Sequence, residues 1–272
     1  MAYGLALRRN KLKTSEQFDL SGRLAIVTGA ARGLGRQMAL SLAEAGADVC
    51  ICDILDEEGQ GTQKEIEATG RRSFYKTVDV KHSDQINGFV EDVIERFGKI
   101  DILVNNAGRS SEGIAIEEVD DDLWQNIIET NMSSMFYFSR AVGKEMINRG
   151  AGGSIINISS ISGIIVSKIF PRHNITYGVA KAGVAYLTRG LASEWAQYDI
   201  RVNALAPGYM MTPNTQTSRE FPEIVERITE MTPMKRYGKE DELNGLVVFL
   251  ASQASSYMTG SVVVIDGGHT IW

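Results

Sequence analysis

Short, almost wholly apolar runs alternate along the chain with longer stretches in which apolar residues return every three or four positions. The run RLAIVTG is followed by GLGRQMALSLAEAGA, and after it come DVCICDI, SFYKTVDV, IDILVNNAG, GSIINISS, IRVNALAPG and SVVVIDGG. Counting the first, that predicts seven strands with helices in most of the gaps. In SDQINGFVEDVIERFG, residues Ile86, Phe89, Val90, Val93, Ile94 and Phe97 make one stripe, with Ser83 placed as the N-cap. Strands that are apolar on both faces and separated by helices imply a parallel sheet covered on both sides. The least regular segment, residues 209–238, holds three of the five prolines and is expected to form a helical flap outside the sheet.

Composition narrows this to one domain in contact with a small molecule. At 272 residues and 43% hydrophobic content the chain can bury one large core, and no repeat, low-complexity block or linker divides it. A formal charge of -6 leaves no basic footprint for nucleic acid, and no apolar run is long enough to cross a bilayer. Cys50 and Cys52 point to the same face of one strand and lack the partners of a metal site. They read as small core residues, so no metal is expected and a reducing cytoplasm is the default location. Residues 1–20 form a basic arm with no acid before Glu16; it lacks the serine and arginine richness of a transit peptide and is expected to be a surface arm. The remaining residues, 21–272, make the domain.

The first strand meets its helix through TGAARGLG, residues 28–35. Gly29, Gly33 and Gly35 would let the backbone approach a pyrophosphate at the helix N-terminus, with Arg32 and Leu34 between them. The spacing is not the usual G-x-G-x-x-G, and a glycine-rich turn that merely packs helix on strand has the same appearance. Asp53 ends the second strand at the expected distance of ~20 residues, where a carboxylate accepts from a ribose 2′-OH and repels a 2′-phosphate. NAD is therefore favoured over NADP, because Ile54 adds no basic group; Arg32 is the residue that argues for NADP. Asp79 and Val80, like Asn106, Ala107 and Gly108 of NNAG, fall at strand ends where cofactors bind. Asp79 could equally cap the next helix, and Asn106 could simply form a turn.

A second constellation lies further on. If NITYGVAKAG begins a helix, Tyr177 and Lys181 share a face, and an ammonium beside a phenol favours the phenolate, as a general acid/base requires. The same spacing also describes ordinary surface neighbours. Ser160 ends the strand SIINISS, where its hydroxyl could hold a substrate oxygen. Asn131 falls within the apolar stripe of Leu123, Ile127, Ile128, Met135 and Phe138, so its amide either bonds backbone in the core or anchors a relay to the lysine.

Taken together, TGAARGLG, Asp53, NNAG, Asn131, Ser160, YGVAK and the pair Pro207–Gly208 resemble the short-chain dehydrogenase/reductase family, in order from about Leu20 to Gly268. The resemblance implies a Rossmann-type, doubly wound sheet of seven parallel strands, a homotetramer, and hydride transfer between nicotinamide and an alcohol or ketone carbon. It implies Tyr177 as acid/base, Ser160 rather than Ser159 as the group that polarises the substrate oxygen, Lys181 on the nicotinamide ribose, and Asn131 on a relay water. It also places Pro207, Gly208, Met210 and Thr212 beside the carboxamide. The interval from Ser160 to Tyr177 is longer than in most relatives, which makes Arg172, His173 and Asn174 candidates for substrate contact or else plain loop residues.

That long connection, the MTP at residues 231–233 and the ending IDGGHTIW look similar to the polyol and sugar dehydrogenase branch. A sugar alcohol oxidised to its ketose is the resulting expectation. A gluconate-type sugar acid, a cyclic alcohol, a 3-oxoacyl thioester and a non-enzymatic cofactor sensor are the alternatives. Ile271 and Trp272 are expected to be packed, against this chain or a neighbouring subunit.

Overall fold

The computed structural model describes residues 13–110, 114–167, 169 and 173–272. All seven expected strands form, and they make one parallel sheet. They are β1 (Leu24–Thr28), β2 (Asp48–Asp53), β3 (Ser73–Thr77), β4 (Ile102–Asn105), β5 (Gly153–Ile158), β6 (Ile200–Pro207) and β7 (Val262–Ile265). Their order is β3-β2-β1-β4-β5-β6-β7, so the direction of winding reverses between β1 and β4. That reversal opens a crevice beyond the C-terminal ends of the two strands, the place where ligands of such sheets bind.

Alternation along the strands sorts the core into two layers. Ala25, Val27, Val49 and Ile51 face one way, towards α1 (Gly33–Glu44), α2 (Asp56–Ala68) and α9 (Asn244–Ala251), which supply Met38, Leu42, Ile66, Val247 and Leu250. Leu24, Ile26, Cys50 and Cys52 face the other way. They meet α3 (Ser83–Phe97), α5 (Ser134–Arg149) and α6 (Ile175–Trp195) through Phe89, Val93, Phe138, Val142 and Trp195. Both thiols therefore share a face and sit in the core, where burial raises their pKa. The stripe predicted for α3 is buried at Ile86, Phe89, Val90 and Val93, but the helix starts one residue early: His82 takes the N-cap position and Ser83 is the first helical residue.

The long helix expected around Asn131 is interrupted. α4 (Asp121–Ile128) leads into a π-helical turn, Glu129–Ser133, before α5 resumes. The segment 209–238 contains the short α7 (Gln216–Arg219) and α8 (Pro222–Met231). It packs on a small separate cluster of Ile169, Ile228 and Tyr237. Of the N-terminal arm, residues 1–12 lie outside the described residues, and Leu20 is already in the core. Ile271 and Trp272 are 75% and 76% exposed, so they do not pack within this chain; the indole N–H donates to the Met231 carbonyl at 3.1 Å. No helix among the described residues is long and apolar enough to cross a membrane.

Candidate functional site

At the end of β1 the chain must turn sharply and keep its backbone clear. Gly29 has φ +64, and a Cβ there would meet the Ala107 Cα at 2.7 Å. A Cβ on Gly35, in the first turn of α1, would meet the Gly29 carbonyl oxygen at 2.1 Å and the Asn106 amide nitrogen at 2.4 Å. The glycine loop and the NNAG turn are thus pressed together, and hydrogen bonds fix them there. Thr28 Oγ1 accepts from the N–H groups of Asn106 and Ala107, both at 3.0 Å. Asn106 Nδ2 donates to the carbonyls of Thr28 at 3.0 Å and Gly29 at 2.9 Å. Asn106 is therefore a strut as well as a wall. Thr28 was not singled out by its sequence context, because a threonine at a strand end carries no pattern of its own.

Asp53 stands at the far end of the same groove. Its carboxylate accepts from the backbone N–H of Ala31 at 3.0 Å, Ile54 at 2.7 Å and Leu55 at 3.2 Å, which holds it in one orientation beside the loop. Asp79 Oδ1 accepts from the Lys81 N–H at 3.0 Å, and Gln85 takes the Asp79 N–H, so Asp79 braces its own turn and does not cap α3. Gly29, Arg32, Gly33, Leu34, Gly35, Asp53, Ile54, Asp79, Val80, Asn106, Ala107 and Gly108 all border one cavity of about 410 Å³. That is within the usual range for small-molecule sites. Close-approach glycines, a helix N-terminus and a carboxylate at the distal end suit a dinucleotide: the amide end would take pyrophosphate and the acid ribose hydroxyls.

A second cavity, about 440 Å³, opens from the first and shares Leu34, Asn106, Gly108, Arg109, Thr212 and Asn214 with it. Asn131, Ser160, Tyr177 and Lys181 all line this chamber, as do Pro207, Gly208, Met210 and Thr212. The helix α6 forms as predicted and sets Tyr177 and Lys181 one turn apart, with Nζ 5.5 Å from the tyrosine ring centroid. Ser159 Oγ donates to the Lys181 carbonyl at 2.8 Å. Ser160 Oγ only accepts, from the Ser162 N–H at 3.1 Å, which leaves its proton for a ligand in the chamber. Both serines line the chamber, and of the two only Ser160 keeps its proton out of a hydrogen bond among the described residues.

Asn131 is fully buried and its amide is used at both ends. Nδ2 donates to the carbonyls of Arg109 at 2.9 Å and Ile127 at 3.0 Å, and Oδ1 accepts from the Arg109 N–H at 3.1 Å. The π turn lets this residue face the chamber from inside a helix; such turns often mark functional sites. His173 and Asn174 line the chamber, and Asn174 Nδ2 donates to Ser110 Oγ at 2.8 Å. Arg172 lies outside the described residues. Arg109, Ser110 and Tyr209 line the chamber without having been anticipated, since single polar residues after a motif carry no periodic signal.

Lys181 is 2% exposed, with Nζ donating to the Ile158 carbonyl at 2.8 Å, and burial pulls its pKa down from 10.5 to about 7. Between those values the unfolded chain binds the extra proton, so the cost of burying the ammonium is full below pH 7 and relieved as pH rises towards 10.5. Lys181→Met, compared with the wild type by urea unfolding without cofactor, should show its greatest relative stability below pH 7. That advantage should shrink by roughly 3 kcal/mol by about pH 9.5. Parallel stability curves for the two proteins would show that the lysine is not held as described.

Among the described residues, no three His, Cys, Asp or Glu side chains form a metal-binding group. Comparison with known proteins gives a consistent result. The family model described as enoyl-(acyl carrier protein) reductase matches residues 29–270. The 2-dehydro-3-deoxy-D-gluconate 5-dehydrogenase of Escherichia coli strain K12 is 41% identical over 251 residues, 92% of this chain and 96% of that protein. The galactitol 2-dehydrogenase (L-tagatose-forming) of Cereibacter sphaeroides is 39% identical over 256 residues, 94% of this chain and 98% of that protein. The crystal structure of a gluconate 5-dehydrogenase from Burkholderia cenocepacia J2315, in complex with NADP and tartrate, superposes with a TM-score of 0.90 at 33% identity. It covers 96% of this chain and 100% of that one.

Proposed function

The chain belongs to the short-chain dehydrogenase/reductase family, and from that premise we propose that it interconverts a secondary hydroxyl and a ketone on a polyhydroxylated carbon chain, with NAD as cofactor. The observation that carries this reading is the convergence of Asn131, Ser160, Tyr177 and Lys181 on one chamber that opens directly from the groove of Asp53 and the glycine loop. The relatives named for a sugar acid and for a sugar alcohol support a substrate of one of these two kinds.

In this reading Ser160 donates its free proton to the substrate oxygen, and the Tyr177 hydroxyl exchanges the proton of that oxygen as the carbon is oxidised or reduced. Lys181, whose burial brings its own proton into exchange near neutral pH, favours the tyrosinate and holds the ribose next to it. Asn131 fixes the backbone of Arg109 and so the part of the chamber wall that Arg109 forms. Met210 and Thr212 close the chamber from the flap side. When bound, the nicotinamide supplies the hydride acceptor or donor. A homotetramer accompanies this reading, supported by the apolar surface left at Trp124, Phe136, Tyr186, Val264, Ile271 and Trp272.

The preference for NAD rests on Asp53. Relatives differ here, since the gluconate 5-dehydrogenase superposed above holds NADP, and the exposed Arg32 borders the same groove. Steady-state rates with both cofactors decide it. The wild type should favour NAD in kcat/KM by at least about 10-fold, the equivalent of ~1.4 kcal/mol. Asp53→Asn, which keeps one oxygen for the Ile54 and Leu55 N–H groups but removes the charge and the oxygen that accepts from the Ala31 N–H, should narrow the preference by about as much. A wild type that prefers NADP contradicts the assignment.

A further inference from the structure

The charge of the substrate chamber runs against that of the chain. The sequence has 34 acidic residues against 28 basic ones, yet among the described residues lining the chamber there is no aspartate or glutamate. Its charged or ionisable side chains, apart from Tyr177 and Tyr209, are Lys181, Arg109 and His173. Lys181 is turned inward on the Ile158 carbonyl, and His173 is at the exposed rim. Arg109 is different. Its guanidinium is exposed to the cleft and makes no hydrogen bond or ion pair among the described residues.

The backbone that carries this side chain is nevertheless held firmly. Both the N–H and the carbonyl of Arg109 are bonded to the buried amide of Asn131. The next residue, Ser110, accepts from Asn174 at the start of α6, one turn before Tyr177. A cation with no partner among the described residues is thus mounted on a braced wall of the chamber, tied to the elements that carry Asn131 and Tyr177. A guanidinium offers a planar fork of donors that matches a carboxylate with two parallel bonds. A neutral polyol offers nothing that uses its charge.

We propose that Arg109 binds the carboxylate of an anionic substrate, and that the chamber therefore selects a sugar acid over the corresponding neutral sugar alcohol. This rests on the oxidoreductase reading given above and goes beyond it by choosing between the two substrate classes. Arg109 also borders the nucleotide half of the groove, so the test must separate substrate from cofactor.

Calorimetric titration of D-gluconate and of D-glucitol into the protein saturated with NADH makes that separation, because an alcohol with reduced cofactor binds without turning over. Gluconate should bind the wild type at least about 10-fold more tightly than glucitol, and Arg109→Gln should weaken gluconate by roughly 10- to 100-fold, as expected for a charge-assisted pair. The loss for gluconate should exceed the loss for glucitol, and Arg109→Lys should recover part of it. The proposal is overturned if gluconate does not bind, if glucitol binds the wild type as tightly, or if Arg109→Gln weakens both ligands equally. Failure of the oxidoreductase reading is distinct: gluconate would bind in an Arg109-dependent way, yet NAD would not be reduced by any polyhydroxylated alcohol.

Discussion

Replacing Tyr177 by phenylalanine should lower kcat/KM by about 10³-fold while leaving the dissociation constant for NAD within a few-fold of the wild type. The substitution removes one oxygen and keeps the ring, which is half-buried against Lys181, so the wall of the chamber keeps its shape. The groove for the dinucleotide is built from the glycine loop, Thr28, Asn106 and Asp53, which are fastened by hydrogen bonds of their own. Proton exchange with the substrate oxygen would then fall to water or to Ser160, whose hydroxyl lacks the neighbouring ammonium. Steady-state kinetics together with titration of NAD followed by protein fluorescence read the two quantities separately. A loss below 10-fold in kcat/KM would remove Tyr177 from the acid/base role.

The second large effect is expected at Gly35. A methyl group there has to occupy the position of the Gly29 carbonyl oxygen, 2.1 Å away, while the Asn106 amide presses from the other side at 2.4 Å. Neither is the tip of a flexible side chain that could swing aside: one is backbone, and Asn106 is tied by its bonds to Thr28 and Gly29. Gly35→Ala should therefore displace the loop, weaken NADH by more than about 30-fold and lower Tm, since overpacking of this kind costs ~1–3 kcal/mol even where the chain can adjust. Gly61, in the middle of α2, supplies the control. A Cβ there meets nothing within 4 Å, so Gly61→Ala should bind NADH normally and gain up to ~1 kcal/mol in stability from helix propensity. Equal behaviour of the two variants would mean that the contact of loop and turn is not what shapes the groove.

Much of the architecture could be read from the chain because the central strands are buried on both faces. Runs such as LAIVT and ILVN are buried at every position and apolar at all but the last. The helix of Tyr177 and Lys181 was equally legible, since its spacing alone puts the two side chains on one face. What escaped was local. The π turn at Glu129–Ser133 adds a residue to a helix whose apolar spacing is otherwise ordinary, and it follows from what the Asn131 amide must reach, which only the folded chain shows. The start of α3 differs by one residue because serine suits the cap position but His82 has the extended backbone there. Ile271 and Trp272 are apolar and yet exposed, because apolar character says that a residue gains by burial without saying whether its own chain covers it.

At the site, the motifs marked the groove but not the fasteners. Thr28 and Ser159 act through single hydroxyls on backbone atoms of other segments, 78 and 22 positions away in the sequence. Arg109 becomes notable only once the chamber is assembled in three dimensions and shows no acid among its described lining residues. Long-range contacts of this kind leave no periodic trace.

The most direct test of the central claim is the absorbance of reduced nicotinamide when the purified protein is mixed with NAD and, in turn, with sugar acids and with the matching sugar alcohols. The account predicts that NADH appears with a polyhydroxylated substrate, faster with the acid than with the alcohol, and that Tyr177→Phe lowers the rate about 10³-fold. NAD that binds but is never reduced by any of them would contradict it.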